Sequence, residues 1–158
     1  MDDPNQFNRL LDEYLDALVL YAGLWNRATA EDVVQEAFLK LLQEPEIPDN
    51  PRYWLFRVVR NKMIDQLRHD SMRQRKLAEI RQNRWFEPPP NEPLITADEL
   101  QNALQQLSKE QREYVTAKIW GGLTFEEIAG LTGSSRSRVH RIYQNALQLL
   151  RKILKDKF

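Results

Sequence analysis

The amino-acid sequence predicts an all-α protein of two small helical domains joined by a proline-rich linker, the second domain a helix-turn-helix. Three observations predict it. Apolar residues recur three and four positions apart through most of the chain, and no stretch alternates in the manner of a half-buried strand. The run Trp85-Phe86-Glu87-Pro88-Pro89-Pro90-Asn91-Glu92-Pro93 cannot continue a helix, because proline lacks the amide proton and clashes with the preceding turn. Beyond that run, three Ser/Thr-x-x-Glu/Gln signatures each precede an apolar stretch and mark three helix starts.

In chain order, a first helix is expected over 3–25, with Asp3 as N-cap, Pro4 at the first position, and Phe7, Leu10, Leu11, Tyr14, Leu18 and Tyr21 on one stripe. A second begins at Thr29, with Asp32 three residues on. Its apolar set is Val33, Val34, Ala37, Phe38, Leu41 and Leu42, which leaves Asp32, Gln35, Glu36 and Gln43 towards solvent. Pro45, Pro48 and Pro51 bound a loop. Asn50-Pro51 is an N-cap followed by proline at the first helical position, starting a third helix through Leu55, Val59, Met63 and Leu67. The domains are expected at 1–84 and 96–158, with 85–95 as a semi-extended spacer.

In the second domain Thr96-x-x-Glu99 is a capping box flanked by the staple pair Ile95 and Leu100. Ser108-x-x-Gln111 starts the next helix, which carries Tyr114, Val115, Ala117, Lys118 and Ile119 up to Gly121-Gly122. Thr124-x-x-Glu127, with Leu123 and Ile128 as its staple, starts the third. The spacing from there is that of a helix-turn-helix. Ala129 is small enough for a close helix crossing, Gly133 permits a positive φ in the tight turn, and Val139 fills the wedge between the helices. Ser134 or Ser135 caps the last helix. Val139, Ile142, Tyr143, Ala146, Leu149, Leu150 and Ile153 form its buried stripe. The opposite face offers Arg136, Ser137, Arg138, His140, Arg141 and Gln144, side chains suited to phosphates and base edges at the start of a recognition helix.

The 158 residues are 42% hydrophobic and 29% charged, the balance of a globular chain with room for two small cores. The zero net charge conceals segregation. Residues 1–50 carry −8, 51–84 carry +7, 85–110 carry −4 and 111–158 carry +5. Two basic blocks between acidic ones give two phosphate-facing surfaces and an acidic one for a protein partner. Absence of cysteine removes disulfides, thiolate nucleophiles and cysteine-based zinc sites, and suits a reducing compartment. Met1-Asp2-Asp3-Pro4 puts acid where a secretory signal needs base, and no apolar run reaches membrane-spanning length, so a cytoplasmic protein without membrane insertion is expected.

Three motifs, in order, resemble a known family. The run Leu107-Ser108-x-x-Gln111-Arg112-Glu113, then Gly122-Leu123-Thr124-Phe125-Glu126-Glu127-Ile128-Ala129, then Ala146-Leu147-x-x-Leu150-Arg151 is similar to region 4 of the sigma factors of bacterial RNA polymerase, in their short, two-domain extracytoplasmic-function form. Ala30-Glu31-Asp32-Val33-Val34-Gln35-Glu36-Ala37-Phe38-Leu39-Lys40-Leu41 resembles region 2.2. The stretch from Trp54 to Arg68 resembles regions 2.3 and 2.4. The resemblance implies that Asp32, Gln35 and Glu36 dock on the clamp coiled coil of core polymerase. It implies that Trp54, Arg57, Arg60, Asn61 and Arg68 capture the melted minus-ten element, where bases stack on rings and arginines follow the backbone, with Tyr53 and Phe56 beside them, at least one of the three aromatics buried, and Ile64 on the same face. The helix carrying Arg136 and Arg141 would read the minus-thirty-five duplex. Promoter DNA and core polymerase are thus the implied partners, with an anti-sigma factor besides. Thr132 and Ser134 depart from the family's usual aliphatic turn, and Asn145 stands where arginine is frequent.

No catalytic constellation is expected. His69 and His140 lie on separate helices amid basic residues, which argues against a metal site, and adjacent Glu126 and Glu127 do not face one another on a helix. Neither a cofactor nor a small-molecule substrate is implied. Two other readings fit parts of the chain: a stand-alone helix-turn-helix regulator, which leaves the Asp32 face and the Tyr53–Arg68 helix without a task, and a degenerate sigma-like protein acting only through protein contacts.

Overall fold

The computed structural model describes residues 4–69 and 97–155, which form seven α-helices and no strand among the described residues. The chain divides into two compact units, Met1–Asn83 and Arg84–Phe158. The Asp3 cap, the basic stretch after His69, the proline-rich spacer and the Ile95–Thr96 half of the first capping box lie outside the described residues.

The described residues of the first unit form α1 (Pro4–Gly23), α2 (Ala30–Gln43) and α3 (Pro51–His69), each packed on the other two. Its core is assembled from Leu10, Ala17, Leu18 and Tyr21 of α1, Val33, Val34, Ala37, Phe38 and Leu41 of α2, and Leu55, Phe56, Val59 and Met63 of α3, all buried. Aromatic edges reinforce it: Phe7 meets Phe38 edge-on at 5.9 Å, and Tyr21 lies 4.9 Å from Phe56 and 5.1 Å from Trp25. Helix α1 stops at Gly23, two residues short of the expected end, because the amides of Leu24, Trp25 and Asn26 turn back onto the carbonyls of Tyr21 and Ala22.

The starts of α2 and α3 differ in kind. Asn50 caps α3 as expected, its Oδ1 accepting from the Tyr53 amide at 3.1 Å. Thr29 makes no side-chain cap, since its own backbone is already near-helical (φ −107°, ψ −3°) and its hydroxyl donates instead to Oε1 of Gln66 on α3 at 2.9 Å. Two expected core positions are also corrected. Leu42 and Leu67 are exposed, because each lies at the edge of its helix stripe, beyond the cover of the described helices.

The second unit comprises α4 (Ala97–Gln105), α5 (Lys109–Ile119), α6 (Phe125–Thr132) and α7 (Arg136–Leu154). Helix α7 is the long element against which the other three pack. Leu100, Leu104 and Leu107 from the α4 region, Val115 and Ala117 of α5, Leu123, Ile128 of α6, and Val139, Ala146 and Leu150 of α7 are buried. Leu149, expected in the α7 stripe, is exposed, and Ile142, Tyr143 and Ile153 are only partly covered, so the buried seam is narrower than the periodicity suggests.

Both described capping boxes form with all four bonds. Ser108 and Gln111 exchange amide-to-side-chain bonds of 3.0 and 3.1 Å at the start of α5, and Thr124 and Glu127 do so at 2.9 and 3.0 Å at the start of α6. Arg112 extends Nη2 back to the carbonyls of Leu107 and Gln105 at 3.1 and 3.4 Å, closing the end of α4, where burial lowers its pKa. Each such contact satisfies a helix-end group that has no partner within its own helix.

Candidate nucleic-acid interface

The turn between α6 and α7 is built as a helix-turn-helix requires. Gly133 sits at φ +70°, ψ 27°, and its amide and that of Ser134 both bond to the carbonyl of Ala129, at 3.0 Å for Ser134. An L-residue is strained there, which is why glycine occupies the position. Ala129 and Val139 are buried on either side of the turn. Of the two serines proposed as cap, Ser135 does it: its Oγ accepts from the Arg138 amide at 3.2 Å.

With the buried seam of α7 turned inward, Arg136, Ser137, Arg138, His140, Arg141 and Gln144 are all exposed on the other side. They are not equivalent. Arg136 approaches Glu126 at 3.8 Å with both side chains mostly in solvent, a pair that contributes little. His140 sets its ring edge-on to Phe125 at 4.9 Å, and Gln144 Nε2 stands 3.5 Å from His140 Nε2. Phe125 also meets Tyr143 at 5.3 Å and carries the Lys118 ammonium over its face at 4.4 Å. Burial raises the Tyr143 phenol.

Arg138 is bound most firmly. Its Nη2 donates to Oε2 of Glu110 at 3.0 Å, and its Nη1 donates to Oε1 of the same carboxylate, closing an end-on bidentate pair; Nη1 also reaches Ser134 Oγ at 3.4 Å. The Tyr114 hydroxyl donates to Glu110 Oε1 at 3.0 Å. Thr132 donates to the Ile128 carbonyl at 2.8 Å. The hydrogen bond from Arg138, joined by that from Tyr114 and by the arginine's charge, outweighs desolvation and holds Glu110 below the usual carboxylate range. Burial pushes the Tyr114 phenol up. The two polar turn residues that depart from the family pattern are therefore engaged locally, Thr132 donating to the Ile128 carbonyl and Ser134 accepting from Arg138.

In the first unit, Arg57, Asn61 and Arg68 are exposed along one face of α3 with Ile64 partly so. Arg60 is half-buried, its guanidinium 6.0 Å from the Trp25 ring centroid. Of the three aromatics at the start of the helix, Phe56 is 0% exposed and belongs to the core, whereas Tyr53 and Trp54 are partly exposed. On α2, Asp32, Gln35 and Glu36 stand in solvent, as does Leu39, one turn further on. Glu36 lies 3.7 Å from the Lys62 ammonium of α3. Three participants carry no sequence motif: Glu110 and Tyr114 behind Arg138, and Trp25 beneath Arg60. Among the described residues no group of three potential metal ligands occurs, and no helix is long and apolar enough to cross a membrane.

A helix-turn-helix with an exposed basic face, in a chain with a further helical unit that presents arginines and rings, defines a DNA-binding protein of the transcription apparatus. The family models sharpen this: residues 10–74 match sigma-70 region 2 and residues 97–150 match sigma-70 region 4. SigL of Mycobacterium tuberculosis, an ECF RNA polymerase sigma factor, is 32% identical over 155 residues, covering 93% of this chain and 88% of that protein. The RNA polymerase sigma factor CarQ of Myxococcus xanthus is 33% identical over 138 residues, covering 79% and 76%. The sigma factor RpoE from Bartonella quintana, solved in complex with the anti-sigma factor NepR, superposes with a TM-score of 0.71 at 26% identity, covering 96% of this chain and 98% of that one. The chain belongs to the extracytoplasmic-function sigma factors of bacterial RNA polymerase, a family of non-enzymatic regulators of transcription.

Proposed function

We propose that this sigma factor divides its task by helix. Asp32, Gln35 and Glu36 on α2 engage core polymerase. Trp54, Arg57, Arg60, Asn61 and Arg68 on α3 hold the melted minus-ten strand. Arg136, Ser137, Arg138, His140, Arg141 and Gln144 on α7 meet the minus-thirty-five duplex. Residues 1–84 and 96–158 are the two working domains and 85–95 the spacer. The protein acts in the cytoplasm, leaves all catalysis to the polymerase, and is held in reserve by an anti-sigma factor, as the complex of the Bartonella RpoE with NepR suggests by analogy.

One observation carries the assignment: on all three helices the residues at the family's contact positions are exposed or partly exposed, while their neighbours on the same helices are buried. Core positions and contact positions are thus held by different side chains. The test is run-off transcription with this protein and core polymerase, followed by sequencing of the start sites. Transcripts from a common upstream motif are expected. Tight binding to duplex DNA by the protein alone, with no promoter-specific transcript, would assign it instead to the stand-alone regulators.

A further inference from the structure

The carboxylate of Glu110 lies on α5, outside the helix-turn-helix, yet it makes two bonds to a recognition-helix arginine. A guanidinium has five N–H donors. End-on pairing with Glu110 uses one from each Nη, and Ser134 Oγ takes the remaining hydrogen of Nη1 at 3.4 Å. What is left is the fork formed by Nε–H and the second Nη2–H, lying along the side of the guanidinium plane. That fork has the spacing that a guanine presents through O6 and N7 in the major groove. The clamp is itself propped, since the Tyr114 hydroxyl holds Oε1 from the buried side at 3.0 Å and Tyr114 is only 2% exposed.

A lone exposed arginine samples many rotamers, and ordering it on a base costs side-chain entropy. An arginine already fixed by a carboxylate arrives with its plane set. The same carboxylate repels the phosphate backbone, which makes Arg138 a poor non-specific anchor. Both effects favour reading one base over holding any DNA.

Resting on the reading of α7 as the minus-thirty-five helix, we propose that Glu110 is a specificity-determining positioning residue: through its bidentate clasp it presents the Nε–H/Nη2–H fork of Arg138 to a guanine edge. Tyr114 and Ser134 complete the clasp. Arg138 touches the base, and Glu110 acts only through it.

The test uses holoenzyme assembled from the full-length chain and core polymerase, with a promoter library randomised over the upstream element. Binding is profiled for the natural protein and for Glu110→Gln, Arg138→Lys, the double variant, and Tyr114→Phe. The natural protein is expected to prefer guanine at one position. Glu110→Gln should weaken that preference about tenfold, the range for a bidentate arginine–guanine contact, leaving preferences elsewhere intact. Arg138→Lys should flatten the same position, and the double variant should add nothing. Tyr114→Phe should weaken it less. An unchanged profile for Glu110→Gln would overturn the proposal. So would uniformly tighter binding to every sequence with a steeper salt dependence, which would make Arg138 a phosphate contact that Glu110 restrains. A natural holoenzyme with preferences downstream but none upstream would overturn the α7 assignment itself, and the clasp with it. Thermal melting of each variant separates these outcomes from loss of folding.

Discussion

Replacing Gly133 by alanine isolates the backbone strain of the helix-turn-helix turn. A Cβ built at this position meets nothing within 4 Å, so no steric clash contributes. The whole cost comes from holding an L-residue at φ +70°, about 1–2 kcal/mol. Alanine also stiffens the unfolded chain, which returns about 0.4–1 kcal/mol. The expected net loss is therefore about 1 kcal/mol, equivalent to a fall of about 4–8 °C in the melting temperature of a unit this size. Asparagine tolerates the left-handed region better, so Gly133→Asn should lose about half as much. Gly133→Val should lose more than either, since a β-branched side chain is least able to adopt that φ. Urea unfolding followed on the backbone amides of α6 and α7 by NMR confines the measurement to the second unit. A Gly133→Ala protein more stable than the natural one, or one losing more than about 3 kcal/mol, would refute the reasoning: the first would mean the turn is not strained, the second that hidden contacts occupy the space.

Other outcomes are expected from the same structure. Phe56→Ala should destabilise the first unit by about 3–5 kcal/mol, because the ring is fully buried against Tyr21, whereas Arg57→Ala should change its stability by less than about 0.5 kcal/mol and weaken capture of single-stranded minus-ten DNA in a fluorescence anisotropy assay. Asp32→Lys should reduce co-purification with core polymerase without shifting the melting temperature, since Asp32 is exposed. The pH dependence follows from Glu110 and Tyr114. Glu110 has its folded pKa lowered, so its contribution to stability is present above the unfolded value of 4.5 and is lost as pH falls below it. Tyr114 has its folded pKa raised, so its contribution is present below the unfolded value of 10.0 and is lost as pH rises beyond it. Glu110→Gln should flatten the acid limb of the second unit's stability profile and only soften the alkaline limb, because burial is the largest cause of the raised Tyr114 phenol and Glu110 a smaller one, as read by denaturant titration at a series of pH values.

What could be read from the sequence was what residues decide within four positions of themselves. Both described capping boxes, the Asn50 cap and the positive φ at Gly133 are local, so residue identity suffices to state them. Periodicity located the buried stripes but overstated their width. Leu42, Leu67 and Leu149 satisfy the spacing, yet burial depends on whether a second helix covers that edge, which no single helix records. Thr29 illustrates the competition: a threonine three residues before an acid suggests a cap, but a partner 37 positions away on α3 takes its hydroxyl. Charge pattern indicated Arg138 as a nucleic-acid ligand and was silent on Glu110, because their meeting spans 28 positions and depends on how α5 crosses α7. The family resemblance supplied the functional assignment of the α2 and α3 faces, which composition and charge left open between a solvated surface and a partner site.

The separation of tasks on α7 has an evolutionary consequence. Its start is set by Ser135, its preceding turn by Gly133, and its seam by the buried Val139, Ala146 and Leu150, none of which is among the six outward residues of the helix. Substitution of Arg136, Ser137, Arg141 or Gln144 therefore changes the outward chemistry while the helix keeps its ends, its depth and its angle, at the small cost usual for surface positions. On the proposed reading of α7, duplicated copies of such a chain diverge in promoter preference by drift at these four surface codons, without passing through unstable intermediates. Arg138 is the exception. Its change leaves the Glu110 carboxylate without its bidentate partner, so within a lineage that carries this clasp, Glu110 and Arg138 should be inherited or replaced as a pair.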